Sequence, residues 1–368
     1  MKYPEVCFFD DIVSDLHQFD CIIDVRSPSE FAEDHIPGAI NCPVLNDEER
    51  IRVGTMYKQV GAFEAKRLGA ALVAINIGNH LTQLFQDKPK EWRPLIYCWR
   101  GGNRSGSMAH IFSRIGWPAA QLHGGYKAYR QHVNENIPLL AQGINWKVLC
   151  GPTGSAKSRL LAALNSVGQQ VLDLEKFACH RGSVLGDIPN EKQPSQKHFE
   201  SRIWETLRKI NKTQHVYVEA ESKKVGNLRV PDSIMEGIRA AACLSLKLDI
   251  RERVNLLVED YAHFVNDTEH LGQQLDFLTS IHGKEKITQW KTLASQHDIQ
   301  TLVRKLLEEH YDPAYHKSIN KNFSQFMAAQ EIHLHGIDDQ SMQEAIRNIV
   351  AEKRSDQPST SSRMRCPS

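Results

Sequence analysis

Two short stretches of this chain hold residue types whose spacing could do chemistry. In LIYCWRGGNRSGSMAHI (95–111), five residues separate Cys98 from Arg104, among them Arg100, Gly101, Gly102 and Asn103. Leu95, Ile96 and Tyr97 form an apolar, β-prone run. Ser105 suits the N-cap of a helix that carries Met108, Ile111 and Phe112 on one face. A thiol at the foot of such a loop faces successive backbone N–H groups and the positive end of a helix. With Arg100 and Arg104 alongside, those surroundings favour the reactive thiolate. The donors of Gly101, Gly102, Asn103 and Ser105 would hold an oxyanion beside the sulfur. The competing reading is a buried structural cysteine next to a glycine turn.

The second stretch is WKVLC (146–150) running into GPTGSAKS (151–158), followed by the apolar LLAAL (160–164). Strand, glycine loop and helix in that order make a P-loop. Backbone N–H groups from Gly151 to Gly154 would cradle a diphosphate, Lys157 would reach its terminal oxygens, and Ser158 suits a Mg²⁺ ligand. Ala156 stands where such a loop has its last glycine. If that position needs φ > 0, alanine costs about 1 kcal/mol there, and nucleotide turnover becomes a weaker expectation than diphosphate binding. Asp173, Glu175, Glu219 and Glu221 end two later strand-like runs. They could support Mg²⁺, or equally cap helices or pair with lysines. Arg251 and Arg253 open the helix of LDIRERVNLLVEDY (248–261) against its dipole, which suggests that they serve an anion or a carboxylate.

These loops need elements to hold them. At 368 residues the chain is too long for one ordinary core. We expect residues 1–137 to form one α/β domain, 138–145 a linker marked by Pro138 and Gly143, 146–353 a second parallel α/β domain, and 354–368 a disordered polar tail. DCIIDV (20–25) is a short strand that ends in Asp24, and Arg26 beyond it reads as the partner in a buried ion pair. Ser27-Pro28 is a helix start. Residues 46–74 form an amphipathic helical insertion, with Leu68, Leu72 and Ile75 on its inward stripe.

Hydrophobic residues make up 41% of the chain and charged ones 24%, the balance of a soluble globular protein. No apolar run approaches the roughly 20 residues of a membrane span, and the acidic N-terminus is unlike a signal peptide. Eight scattered cysteines, without CxxC or zinc spacing, point to free thiols in a reducing cytoplasm. His333 and His335 share a strand face, but nothing else completes a metal set with them, and we expect a structural role. The net charge of +1 gives no compositional sign of a nucleic-acid partner.

DVRSPSEFAEDHIPGAINCPV (24–44), YCWRGGNRS (97–105) and LHGGYKAYR (122–130) resemble the rhodanese family. That implies an N-terminal rhodanese-like doubly wound domain in which Cys98 carries a chalcogen. Common members have four residues between Cys and Arg. The five here are similar to rhodanese-like phosphatases and suggest a donor built around a tetrahedral anion.

The segment NDEERIRVGTMYKQVG (46–61), together with DLEKFACHRGSVLGDI (173–188) and VEAESKKVGN (218–227), resembles bacterial tRNA 2-selenouridine synthases. In that family a rhodanese domain is fused to a C-terminal P-loop NTPase-like domain. The resemblance implies conversion of 2-thiouridine to 2-selenouridine at the tRNA wobble position through S-geranyl-2-thiouridine. Selenophosphate and geranyl diphosphate would be cosubstrates, Cys98 would carry the selenium as S-selanylcysteine, and a selenophosphate-supplying enzyme would be a partner. Lys58, Lys66, Arg67, Lys223 and Lys224 are candidates for tRNA phosphate contacts. A Cys-x5-Arg phosphatase, or a sulfurtransferase fused to a P-loop kinase, is the alternative.

Overall fold

The structure is a computed structural model and describes residues 3–183, 185–262 and 267–351. The expected tail lies outside the described residues, and so does Cys366. The chain divides into two units, one formed by Met1–Leu140 with Pro194–Lys209, the other by Ala141–Gln193 with Ile210–Ser368. Residues 194–209 thus cluster with the first unit, although in sequence they fall within the expected span of the second domain.

The first unit is built on a five-stranded sheet of order β1-β5-β4-β2-β3. Its strands are β1 (Glu5–Cys7), β2 (Cys21–Asp24), β3 (Ala39–Asn41), β4 (Pro94–Tyr97) and β5 (Ala120–Leu122). Every neighbouring pair is parallel, which requires both faces to be covered. Accordingly β4 is buried at all four positions. Its neighbours Ile23, Ile77, Phe85, Trp92, Met108 and Phe112 share one core.

Between β3 and β4, the insertion forms two helices, Asp47–Gln59 and Ala62–Leu84. Asn46 opens the first with a capping box, its side chain accepting from Glu49 N at 2.8 Å. The expected inward stripe is displaced. Ala65, Gly69 and Ile77 are buried, while Ile75 is 61% exposed. Small residues win the inward positions because the two helices approach closely: a Cβ on Gly69 would meet Val53 Cγ1 at 3.4 Å.

The last helix of the sheet order runs from Gly125 to Ala141, straight through Pro138. The break expected at Pro138 therefore falls later, at Gln142 and Gly143, where Gly143 adopts φ 71°. A proline this close to the C-terminus forfeits one helical hydrogen bond. Ile137 and Ala141, both buried, hold the helix through that turn.

The helix Gln196–Leu207 completes this unit. Trp204 joins a ring cluster with Phe9, Tyr129 and His132. Ser201 Oγ donates to Asp34 Oδ2 at 3.1 Å, Tyr126 donates to the same oxygen at 2.8 Å, and Arg130 pairs with Glu200. Burial alone would raise the Asp34 pKa, but hydrogen bonds from His198, Tyr126 and Ser201 outweigh it and hold the carboxyl below its ordinary value.

The second unit has its own five-stranded parallel sheet, order β12-β11-β6-β8-β7. The strands are β6 (Asn145–Cys150), β7 (Gln170–Leu172), β8 (His215–Glu219), β11 (Ala242–Lys247) and β12 (Gln330–His333). A small antiparallel ribbon joins β9 (Lys224–Val225) to β10 (Leu228–Arg229). The helices Lys157–Ser166 and Asp339–Ala351 contribute Leu160, Leu164, Ala345 and Ile349 to the core on this sheet. A separate core of Leu271, Leu275, Ile287, Trp290, Leu302 and Leu306 holds together the helices between residues 268 and 306. Both halves are thus parallel α/β, as the sequence implied. Among the described residues, no helix is long and apolar enough to cross a membrane.

Candidate functional site

Each unit carries one of the two loops. In the first, β4 delivers Cys98 to the C-terminal edge of the sheet, where it is 3% exposed. The following helix is Asn103–Ile115, with Gly102 at its N-cap in the left-handed conformation, φ 76°. The helix therefore starts two residues before the expected cap, because Gly102 can turn the chain where Ser105 could not. Ser105 lies inside the first turn, fully buried, and its Oγ donates to Cys98 Sγ at 3.3 Å. Gln121 of β5 donates to Ser105 Oγ at 3.1 Å and to Gly102 O at 3.0 Å. A Cβ on Gly102 would come within 2.8 Å of that amide.

The loop carbonyls are occupied from the other side. Tyr126 N donates to Cys98 O at 2.8 Å and Lys127 N to Trp99 O at 3.0 Å. Gly125 is indispensable to this approach, since a Cβ there would lie 2.2 Å from Cys98 O. Trp99 stacks on Tyr126 with ring centroids 5.4 Å apart.

The two arginines part company. Arg100 is exposed and makes no ion pair among the described residues. Arg104 Nη1 pairs with Glu30 Oε2 at 2.9 Å. Arg50 Nε meets that same oxygen at 3.1 Å, and Ser27 N donates to it in a capping box. Burial pushes the Glu30 pKa up, but the Arg104 hydrogen bond and charge prevail and hold it below its ordinary value. Arg104 thus ties the loop's helix to the helix Pro28–Glu33. Gly101 and Asn103 are exposed at the loop's rim. Asp24 and Arg26 form the buried ion pair expected of them, at 2.6 Å, and Arg26 also donates to Asp34 O and lies 4.0 Å from the Tyr126 ring centroid.

In the second unit, β6 leads into Gly151–Ala156 and then the helix Lys157–Ser166. Gly154 has φ 77° and Ala156 φ 63°, so alanine does occupy a left-handed position. Lys157 Nζ folds back onto Gly151 O at 2.9 Å and Pro152 O at 3.2 Å. The cavity over this loop is lined by Gly151, Gly154, Lys157, Ser158, Arg181 and Arg239, with Glu175, Glu219 and Glu221 also on its wall. One carboxylate oxygen from each of these three glutamates lies within 4.8 Å of the other two.

Burial first, and then the neighbouring carboxylates, push Glu175 and Glu219 up to about 8 and Glu221 up to about 7. Ser158 Oγ donates to Glu175 Oε2 at 3.3 Å. Glu219 is 3% exposed, and neither of its carboxylate oxygens has a hydrogen-bond partner among the described residues. Stranded buried carboxylates beside a hydroxyl fit a divalent cation, an oxygen-seeking ligand that would relieve their repulsion.

Other expected residues fall elsewhere. Asp173 caps the short helix Leu174–Ala178 by accepting from Lys176 N at 2.9 Å. Arg251 is exposed on a different cavity beside Arg304. Its neighbour Arg253 is the one that reaches the P-loop. Arg253 is 6% exposed, donates from Nε and Nη2 to Thr153 O at 3.0 and 2.8 Å, and forks onto Asp312 at 3.0 and 2.6 Å. Of the candidate tRNA contacts, Lys58, Lys66 and Lys224 are exposed, Arg67 pairs with Glu64, and Lys223 lies 4.0 Å from Asp232.

Sequence reasoning missed Gln121 and did not separate Arg253 from Arg251. Arg253 stands four residues before Leu257, on the stripe that faces the loop, and that spacing was the available signal.

Comparison with known proteins agrees with this two-part layout. A family described as rhodanese-like domain matches residues 10–132, and one described as tRNA 2-selenouridine synthase AAA domain matches residues 144–284. A protein of Nitrosomonas europaea named tRNA 2-selenouridine synthase is 36% identical over 71% of this chain and 68% of its own length. Proteins of the same name from a Sulfurovum species and Shewanella pealeana are 30% and 32% identical. Those matches span 84% and 82% of this chain, and 93% and 89% of the relatives.

Proposed function

This chain belongs to the tRNA 2-selenouridine synthase family, and from that premise we propose that it exchanges sulfur for selenium in wobble 2-thiouridine of tRNA. The observation that carries this reading is the buried Cys98 at the start of a helix, with Ser105 donating to its sulfur and the exposed Arg100 on its loop.

In the first step, the thiocarbonyl sulfur attacks C1 of geranyl diphosphate. Diphosphate leaves with the bonding electrons and N3 loses its proton. The product is S-geranyl-2-thiouridine, in which C2 carries a thiolate leaving group in place of a poor one. In the second step, C2–S breaks and C2–Se forms, geranyl thiol departs, and water takes the phosphoryl group of selenophosphate as phosphate. No net oxidation occurs.

In that second step the Cys98 thiolate attacks phosphorus and takes the phosphoryl group of selenophosphate, selenide leaves toward C2, and water then releases phosphate from the phosphocysteine, so selenium stays at the selenide level throughout. The Cys98 loop amides, Gly101, Gly102 and Asn103, and the cation of Arg100 hold the tetrahedral phosphorus group. Arg104 positions the loop through Glu30. In the second unit, Gly151, Gly154 and Lys157 bind the diphosphate of the prenyl donor. Ser158, Glu175, Glu219 and Glu221 would hold Mg²⁺, which would supply charge neutralisation of the departing diphosphate. A selenophosphate-producing enzyme would be the supplier, and the cytoplasm the setting.

Nucleosides from tRNA incubated with the protein, selenophosphate and geranyl diphosphate, read by mass spectrometry, test this. Cys98→Ala should abolish 2-selenouridine and leave geranylated tRNA, whereas Lys157→Ala should lose geranylation. Selenouridine formation surviving Cys98→Ala would refute the assignment. Steady tRNA-dependent ATP turnover by the wild type would refute the role given to the P-loop.

A further inference from the structure

Root and tip of the helical insertion in the first unit use their side chains differently. At the root, Asn76 donates to Val44 O at 3.1 Å and to Glu49 Oε2 at 2.8 Å. Arg50 joins Arg104 on Glu30 Oε2, which ties the insertion to the helix that follows the Cys98 loop. At the tip, the helices Asp47–Gln59 and Ala62–Leu84 meet through Val60 and Gly61. There Tyr57, Val60 and Phe63 are 58%, 68% and 73% exposed, and no residue of the first helix is buried. Large apolar groups gathered so openly mark an interaction surface.

The charge at this end is lopsided. Between positions 50 and 67 stand five cations, Arg50, Arg52, Lys58, Lys66 and Arg67, and one anion, Glu64, a local balance of +4 in a chain whose net charge is +1. Glu30 takes Arg50 and Glu64 takes Arg67. Arg52, Lys58 and Lys66 are exposed and form no ion pair among the described residues.

We propose that this tip is a platform for unpaired RNA bases, Tyr57 and Phe63 stacking on them while Lys58 and Lys66 meet the adjoining phosphates. The inference rests on the reading of the substrate as tRNA, and it assigns the tip to nucleotides that flank the wobble base while that base is at Cys98. Protein interfaces deplete lysine around their apolar centre, whereas here lysines and aromatic rings are interleaved along the chain. Rings beside uncommitted cations suit a single strand, in which every base offers a π-face and the backbone a row of phosphates. A duplex keeps its base faces in its own stack and would leave Tyr57 and Phe63 idle; loops, with bases splayed out, do not. Reach agrees with this. From Arg50 to Gln59 the helix rises about 14 Å, so one RNA loop can touch the tip and the cysteine loop together.

Fluorescence anisotropy of the full chain with labelled tRNA carrying wobble 2-thiouridine, and with a blunt RNA duplex as control, tests the proposal. Tyr57→Ala combined with Phe63→Ala should weaken tRNA binding about tenfold or more and change duplex binding less than about twofold. Tyr57→Phe combined with Phe63→Tyr keeps both rings and should stay within about twofold of the wild type. Lys58→Gln and Lys66→Gln should each lower the slope of log affinity against log salt by about 0.7.

Unchanged tRNA affinity in the alanine pair would overturn the platform and leave the tRNA reading intact. So would a loss shared equally by the ring-keeping pair or by the duplex, since stacking would not be its cause. A wild-type dimer that dissociates in the alanine pair at unchanged tRNA affinity would make the tip a contact between copies instead. A wild type that does not bind tRNA would remove the tRNA reading and this proposal with it.

Discussion

Ser105 and Cys98 are joined by a hydrogen bond of 3.3 Å from hydroxyl to sulfur, both side chains being almost wholly buried. A hydroxyl that donates to sulfur helps fix where that sulfur sits at the foot of its loop. Gln121 donates to the same hydroxyl oxygen, and Gly102 O, also 3.3 Å from it, is the hydroxyl's second acceptor. The Cys98 loop is therefore oriented by two residues on separate elements, the helix Asn103–Ile115 and β5.

Ser105→Ala should slow alkylation of Cys98 by iodoacetamide at neutral pH about fivefold, the equivalent of one hydrogen bond of about 1 kcal/mol. Far-ultraviolet circular dichroism should be unchanged. An alkylation rate equal to wild type would show that the hydroxyl does not act on the sulfur.

Ala156 occupies φ 63° at the N-cap of the helix Lys157–Ser166. Ala156→Gly should raise stability by about 1 kcal/mol, read as a higher urea midpoint at constant slope. A lower midpoint would mean that the alanine methyl, which is buried, contributes more through its contacts than the strain costs.

The glutamate cluster sets a pH dependence of unusual sign. Glu175, Glu219 and Glu221 have folded-state values raised to about 8, 8 and 7 from ordinary values near 4.5. A carboxyl with a raised pKa contributes its stability in the protonated form, fully present below about 4.5 and lost as pH climbs through 7 and 8. Thermal midpoints of the wild type should therefore fall between pH 5.5 and 8 more steeply than those of Glu219→Gln. Saturating Mg²⁺ at pH 8 should recover part of the wild-type loss and do little for the variant. Parallel pH profiles for the two proteins would contradict the assignment.

Arg253 holds the P-loop by a planar fork that lysine cannot reproduce. Arg253→Lys should weaken inorganic diphosphate binding about tenfold and lower stability by about 1–3 kcal/mol. Arg251→Lys, on an exposed helix face, should change neither. Equal effects from the two substitutions would mean that the fork is dispensable.

What could be read ahead of the structure follows from the reach of each interaction. Cys98 and Lys157 were legible because a strand, a glycine loop and a helix are consecutive in sequence, and local backbone chemistry sets their order. Asp24 with Arg26 was legible for the same reason. Gln121 was not, because it reaches Ser105 only once β5 lies beside β4. Asp173 illustrates a different limit. An acidic residue after a strand reads alike whether it caps a helix or faces a cation, and only the hydrogen bond from Lys176 N decides. Choosing Arg253 over Arg251 required the helix phase, fixed by burial of Val254 and Leu256.

The helix Gln196–Leu207 makes the chain pass between its two units three times, at 140/141, 193/194 and 209/210. Neither half is a cassette. A gene truncated at the apparent boundary would encode a first unit without Trp204 against Phe9 and Tyr129, and with Asp34 stripped of Ser201. Swapping the P-loop half for that of a distant relative would import a foreign wall into the cysteine half. Any exchange at 140/141 between relatives has to carry residues 194–209 along with the first unit, or leave that unit without its last helix.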